Sequence, residues 1–347
     1  MIDLSLQRYA LLALASAALF GAATPALKPL AGSLHPVLLA GLLYLGSFLG
    51  LALVRLVRRK PAEAPLARRH LAALAGAVIA GGVIAPVLLV WGLSGLTASS
   101  ASLLLAAEAV LTALLAAIFF REAVALRIWL AAAAILAAGA LLAWSPGLAL
   151  PFSPHALAVL GACLLWALDN NLTRRISLAD PYAIAMWKGL AAGAVNTAIG
   201  LALAPASPQA AWLAALGVGA LGYGASLVLD VLAMRHLGAA RTAAHFGTAP
   251  FFGAALAVAL LGEPLTAPLI GGFLLTAAGT WLALSERHHH AHHHAALEHE
   301  HRHVHDAHHA HAHRGDEGPE PHAHVHRHEP MRHSHPHFPD LHHGHRH

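Results

Sequence analysis

The sequence predicts an all-α integral membrane protein: about ten transmembrane helices in a 5+5 inverted repeat, followed by a disordered histidine-rich tail. Three observations carry this. First, 57% of the chain is apolar and 11% charged, where globular chains have about 45–50% and about 25%. Second, 25 of its 30 histidines fall between Glu286 and His347. Third, basic residues occupy only every second loop of the apolar body.

Residues 1–285 carry too few charges to coat a soluble surface. Crossing a bilayer core takes about 20 apolar helical residues. Such runs recur at 9–29, 36–57, 71–93, 98–120, 127–145, 155–173, 182–203, 210–234, 242–261 and 267–285. All are rich in Ala, Leu and Gly, which suits close helix packing in lipid, and none alternates with the period of a barrel strand. The first run is long, carries Lys28 and precedes nine others, so it reads as a span and not as a cleaved leader.

The loops at 30–36, 93–98, 146–155, 204–210 and 262–267 contain no Lys or Arg. The alternate loops hold eleven: Arg58, Arg59, Lys60, Arg68, Arg69, Arg121, Arg127, Arg174, Arg175, Arg235 and Arg241. The positive-inside rule then places both termini in the cytoplasm of a bacterial-type inner membrane. It also explains the basic excess of the body without invoking nucleic acid. A missed or invented helix would scramble the alternation.

The chain repeats itself at an offset of 141, which aligns Glu122 with Glu263 and Glu108 with Ala249. Two units follow, 1–146 and 147–285, each of five spans, with 286–347 as the tail. An odd number of spans per unit inverts the second unit. Inverted repeats of this kind mark secondary transporters, with the substrate site near the midplane between them.

The segments "LFGAATPALK", "LLLAAEAVLTALLAAIFFREAV" and "TAPFFGAALAVALLGEPL" resemble the EamA family of the drug/metabolite transporter superfamily over residues 9–285. The sequence departs from the family pattern at Ala109, where Pro often follows the acid, at Ala249, where the acid would stand, and at Arg121, which replaces the Gly of Gly-Glu. The resemblance implies ten helices in a 5+5 inverted repeat and export of amino acids, metabolites or toxic small molecules. It does not imply the tail.

Ionisable residues inside spans cost about 2.5–3.5 kcal/mol each, so they are candidates for the transport pathway. Glu108 lies near the midplane of the fourth span. Asp169 (beside Asn170), Lys188 and Asp230 fall at one depth on the cytoplasmic side, which predicts a buried ion-pair network acting either as a gate or as a structural tie. Lys28, beside Pro25 and Pro29, either lines a cavity or snorkels to the outer interface. His245 is a packing residue or a proton shuttle. Glu122 and Glu263 are placed to cap a following helix. Trp91, Trp129, Trp144, Trp187 and Trp281 suit an interface or packing.

In the tail, His288, His289, His290, His292, His293, His294, His299, His301, His303 and His305 begin a run of His-His and His-x-His pairs that suits Zn, Ni, Co or Cu(II). The irregular spacing, without interleaved cysteines, predicts many exchangeable sites in a disordered segment rather than one closed site. The tail reads as a buffer or sensor, or as a collector feeding metal export. The alternative function is a non-transporting membrane metal sensor or store. The one cysteine, Cys163, excludes a disulfide framework. No catalytic motif points to an enzyme, no cofactor is required, and the expected partners are the lipid bilayer, a small solute or metal ion, and a second copy in an open question of dimerisation.

Overall fold

A computed structural model describes residues 4–58, 66–120, 126–144, 152–176, 179–204, 209–237 and 245–284, plus the backbone of four stretches of the tail. Glu122, Arg241 and His305 lie outside the described residues. The body is helical. It runs α1 (Leu4–Ala31), α2 (Pro36–Arg58), α3 (Leu71–Ala77), α4 (Ala85–Gly95), α5 (Ala98–Leu104), α6 (Ala107–Phe120), α7 (Leu126–Ala143), α8 (Pro154–Arg174), α9 (Pro181–Leu203), α10 (Gln209–Val218), α11 (Ser226–Leu237), α12 (Ala249–Leu261) and α13 (Ala267–Leu284).

Two pairs of these are single rods interrupted by π-helix. Val78–Ile84 joins α3 to α4, and Gly219–Ala225 joins α10 to α11. The two π segments stand at the same 141-residue offset as the sequence repeat. The fourth expected span is not continuous: it breaks at 105–106 between α5 and α6, and the ninth breaks at 247–248 just before α12. Among the described residues, six helices are long and apolar enough to cross a membrane. Shorter apolar helices include Ala249–Leu261 and Ala267–Leu282.

Capping chemistry sets several ends. Thr97 accepts from Ser100 N and opens α5. Asp180 accepts from Tyr182 N and Ala183 N and opens α9 with Pro181 in the first turn, where a missing N–H costs nothing. Gly262 closes α12 in the left-handed region at φ 66°, a conformation glycine adopts without a Cβ penalty.

α2 packs along α9, and α7 along α13. In the first pair the backbones nearly touch: a Cβ on Gly41 would stand 2.4 Å from Thr197 N, and one on Gly200 would stand 2.5 Å from Leu38 Cα. The remaining packing is reciprocal. α1 lies against α11 and α12, while α8 lies against α4 and α6. Outward-facing Leu, Ile and Trp side chains cover the helices, including all five tryptophans assigned to the interface or to packing. Such a surface requires an apolar solvent.

In four stretches of the tail the backbone runs extended. β1 (His288–His294) pairs with β4 (Met331–His337), and β2 (Leu297–His303) with β3 (His322–His328), both antiparallel. Alternating His-x-His sequence is compatible with the two-residue period of a strand, and pairing satisfies its backbone groups.

Candidate functional site

The breaks in the fourth and ninth helices face a cavity of about 600 Å³. The first half contributes Phe20, Gly21 and Thr24 from α1, with Ser102, Glu108 and Thr112 from α5 and α6. The second half contributes Asn170 from α8, Asp230 from α11, and Phe246 and Pro250 at the second break. Close helix crossings shape this wall: a Cβ on Gly21 would meet Ala249 O at 2.3 Å, and one on Gly253 would meet Ser102 Oγ at 2.5 Å.

Glu108 sits in the first turn of α6, half-buried. Asn170 Nδ2 donates to its Oε1 at 2.9 Å and reaches Thr112 Oγ1 at 3.3 Å. Asn171 donates to the Thr112 and Ala167 carbonyls and fastens α8 to α6. Asp230 faces the same cavity, and its Oδ1 is buried without a hydrogen-bond partner among the described residues. Ser102, only 1% exposed, also leaves its hydroxyl unpartnered.

Asp169 and Lys188 form the expected pair. Lys188 Nζ donates to both carboxylate oxygens at 2.6 and 2.7 Å, and Thr173 Oγ1 donates to Oδ1 at 2.9 Å. The Asp169 carboxylate is buried against the first π segment, with Lys188 half-buried beside it: a Cβ on Gly81 would stand 1.9 Å from Asp169 Oδ2, so only glycine leaves room for the carboxylate. A π turn shifts the backbone ladder and frees carbonyls, and here other helices bind them. Tyr44 Oη and Trp166 Nε1 both donate to Gly81 O, at 2.5 and 2.9 Å. Asn196 Nδ2 donates to the Gly82 and Val83 carbonyls.

The single-level network is therefore divided. Asp230 turns into the cavity while Asp169 and Lys188 pair against the π segment. Depth along a helix fixes height but not direction, and the depths of these residues did not contain the rotation of α11.

Lys28 does not line the cavity. Its Nζ donates to Leu93 O at 2.8 Å and to Leu96 O, closing the last turn of α4. Glu263 caps a helix, but not the one that follows it. Its carboxylate accepts from Ala98 N at 2.6 Å and Ser99 N at 2.8 Å, at the start of α5 in the other half. The left-handed turn at Gly262 directs the chain so that Glu263 can do this. His245 serves the second break through its carbonyl, which accepts from Thr248 N and Oγ1. Glu108, Asp169, Asp230 and His245 do not gather. Among the described residues no group of three or more His, Cys, Asp or Glu could hold a metal ion.

The sequence profile of the EamA-like transporter family matches residues 7–144 and again residues 153–285. The chain belongs to the EamA-like transporter family. A protein of Methanothermobacter thermautotrophicus named as an uncharacterized transporter is 28% identical over 273 residues, 71% of this chain and 77% of its own. A solved crystal structure, described only as that of a protein, aligns with a TM-score of 0.54 at 18% identity, covering 80% of this chain and 96% of that one. It supports the fold alone. This EamA-like chain is thus a multi-pass membrane protein of the drug/metabolite-transporter type.

The residues that sequence reasoning missed are Tyr44, Trp166 and Asn196, which hold the π segment, and Phe20 and Phe246, which wall the cavity. Asn196 carried a usable signal, since a lone amide deep in an apolar span needs partners. The aromatic residues carried none, because they also suit packing or a lipid-facing position.

Proposed function

We propose that this EamA-like chain is a secondary transporter of ten membrane helices, with 1–146 and 147–285 as inverted repeats, in an inner membrane with both termini cytoplasmic. It carries a small solute outward by alternating access through the cavity. The observation that carries this reading is that both halves wall one cavity and each places a carboxylate there, Glu108 from the first and Asp230 from the second. Intramembrane charges persist where they pair or function. Asp169 is neutralised by Lys188, whereas Asp230 Oδ1 has no partner among the described residues. The common offset of the π segments, the reciprocal packing of α1 and α8, and the two family matches support the repeat.

Rocking of one repeat against the other would exchange access. Asp169–Lys188 ties helices on the cytoplasmic side, and Lys28 and Glu263 tie them on the outer side. The mainly apolar walls suit an organic solute better than a bare metal ion. The tail, at the cytoplasmic surface, serves as an exchangeable buffer for Zn, Ni, Co or Cu(II) and does not form part of the path.

The test needs no substrate. In a Cys163→Ser background, one cysteine is placed at Thr24 or Ala113 and labelled with a membrane-impermeant maleimide from either face of oriented vesicles. Alternating access predicts labelling from both faces. Labelling from one face only would sink the transport reading and favour a membrane-anchored metal sensor or store.

A further inference from the structure

We infer that the cavity is built for an organic ammonium ion with an apolar body and no carboxylate. The inference rests on the transport reading only in taking this cavity as the solute's site.

Its walls offer negative charge at two places, Glu108 and Asp230, and no lysine or arginine lines it among the described residues. Phe20 and Phe246 line the same cavity with their rings 5.3 Å apart, and Tyr223 meets Phe20 edge-on at 5.7 Å. Aromatic faces attract cations, more strongly where water is excluded. An ammonium also supplies the donors the site lacks. Asp230 Oδ1, unpartnered among the described residues, needs one, while Glu108 accepts at Oε1 from Asn170 and, as a carboxylate, has further acceptor sites. The buried Ser102 hydroxyl is a further polar atom awaiting a partner.

Helix breaks in transporters often present free N–H groups to an anionic substrate. Here several of those donors are already used. Ala106 N donates to Leu103 O and Glu108 N to Leu105 O at the first break. At the second, Pro250 has no N–H, and Phe251 N and Phe252 N both donate to Thr248 O. A substrate carboxylate would find two like charges and no basic side chain among the described lining residues. A cavity of about 600 Å³ lies within the usual range of about 300–1,000 Å³ for small-molecule sites.

The full-length protein in nanodiscs is titrated with four ligands sharing one apolar body: 2-phenylethylammonium, 2-phenylethanol, 3-phenylpropionate and phenylalanine. The ammonium is expected to bind at least tenfold tighter than each of the others. Glu108→Gln and Asp230→Asn, each first shown to elute as the intact protein, are expected to reduce that preference at least fivefold. If the alcohol, the carboxylate or the zwitterion binds as well as the ammonium, the inference fails. It also fails if the ammonium does not bind, or if both variants keep the full preference. Two-sided maleimide labelling separates the readings. No ammonium preference with labelling from both faces overturns the substrate class and leaves transport standing. An ammonium preference with labelling from one face overturns transport and leaves the site.

Discussion

The two π-helical segments occupy the same place in the two halves and are held by different means. In the first, Val78–Ile84, the freed carbonyls are taken by side chains of three other helices: Tyr44, Trp166 and Asn196. A buried ion pair lies against its Gly81. In the second, Gly219–Ala225, the side-chain bond is local, Ser226 Oγ to Gly222 O at 2.8 Å. Its neighbours press on it as backbone instead: a Cβ on Gly219 would stand 2.1 Å from Leu43 O. The same backbone device is thus fixed by polar side chains in one half and by close helix contact in the other. Segments at one sequence offset can keep their backbone geometry while their chemistry diverges, as Glu108 and Ala249, which stand at that offset, also do.

The comparison can be broken most forcefully at the ion pair. Removing one partner of a buried pair strands a charge, at a cost of about 3–5 kcal/mol, whereas replacing both is often close to neutral. Lys188→Met should therefore sharply lower folded yield and thermal stability in nanodiscs, and adding Asp169→Leu should recover most of the loss. A double variant as unstable as the single would show that the loss does not come from a stranded charge.

Next in size are the two glycines. Gly219→Ala drives a methyl into a main-chain carbonyl that cannot move aside, an overpacking cost of about 1–3 kcal/mol or more. Gly81→Ala meets a carboxylate, which can be displaced. Its defect should be rescued by Asp169→Ala with Lys188→Met, while no single side-chain truncation rescues Gly219→Ala. Equal rescue of both, read as the melting temperature of purified protein, would erase the distinction between the two segments.

Smaller again is the outer cap. Glu263→Gln should destabilise by about 0.5–2 kcal/mol, as lost N-caps do, and should speed labelling of a cavity cysteine from the outer face. The smallest effect belongs to the tail. Deleting 286–347 should leave stability and two-sided labelling unchanged and abolish zinc or nickel uptake in equilibrium dialysis. Identical metal tolerance of cells carrying full-length, tail-deleted or no protein would remove any role of this chain in metal export.

Much of the helix layout was legible because lipid imposes simple rules. The runs at 36–57, 155–173 and 182–203 correspond to Pro36–Arg58, Pro154–Arg174 and Pro181–Leu203 within a residue or so at each end. The Asp169–Lys188 pair was legible because a lone charge at that depth is costly and the two fall at one height. What escaped was angular and local. Asp230 has the right height and faces elsewhere. The π segments lie in glycine-rich runs that read as ordinary helix, since a one-residue change of backbone register leaves no trace in hydropathy. Glu263 was recognised as a cap, but its target lies 165 residues earlier in the chain, and a repeat read along the sequence does not say which helix end a carboxylate will meet.

That long reach bears on how the molecule is made. Until synthesis passes Glu263, the first N–H groups of α5 lack the carboxylate that satisfies them in the finished protein, and water or lipid headgroups must serve instead. The ribosome completes more than two thirds of the body before this cap exists. A nascent chain stopped before the ninth span would carry a loosely held fourth helix and an unfinished cavity wall, open to membrane quality-control proteases. Closure of the outer cap would then mark the moment at which the first half becomes fully ordered.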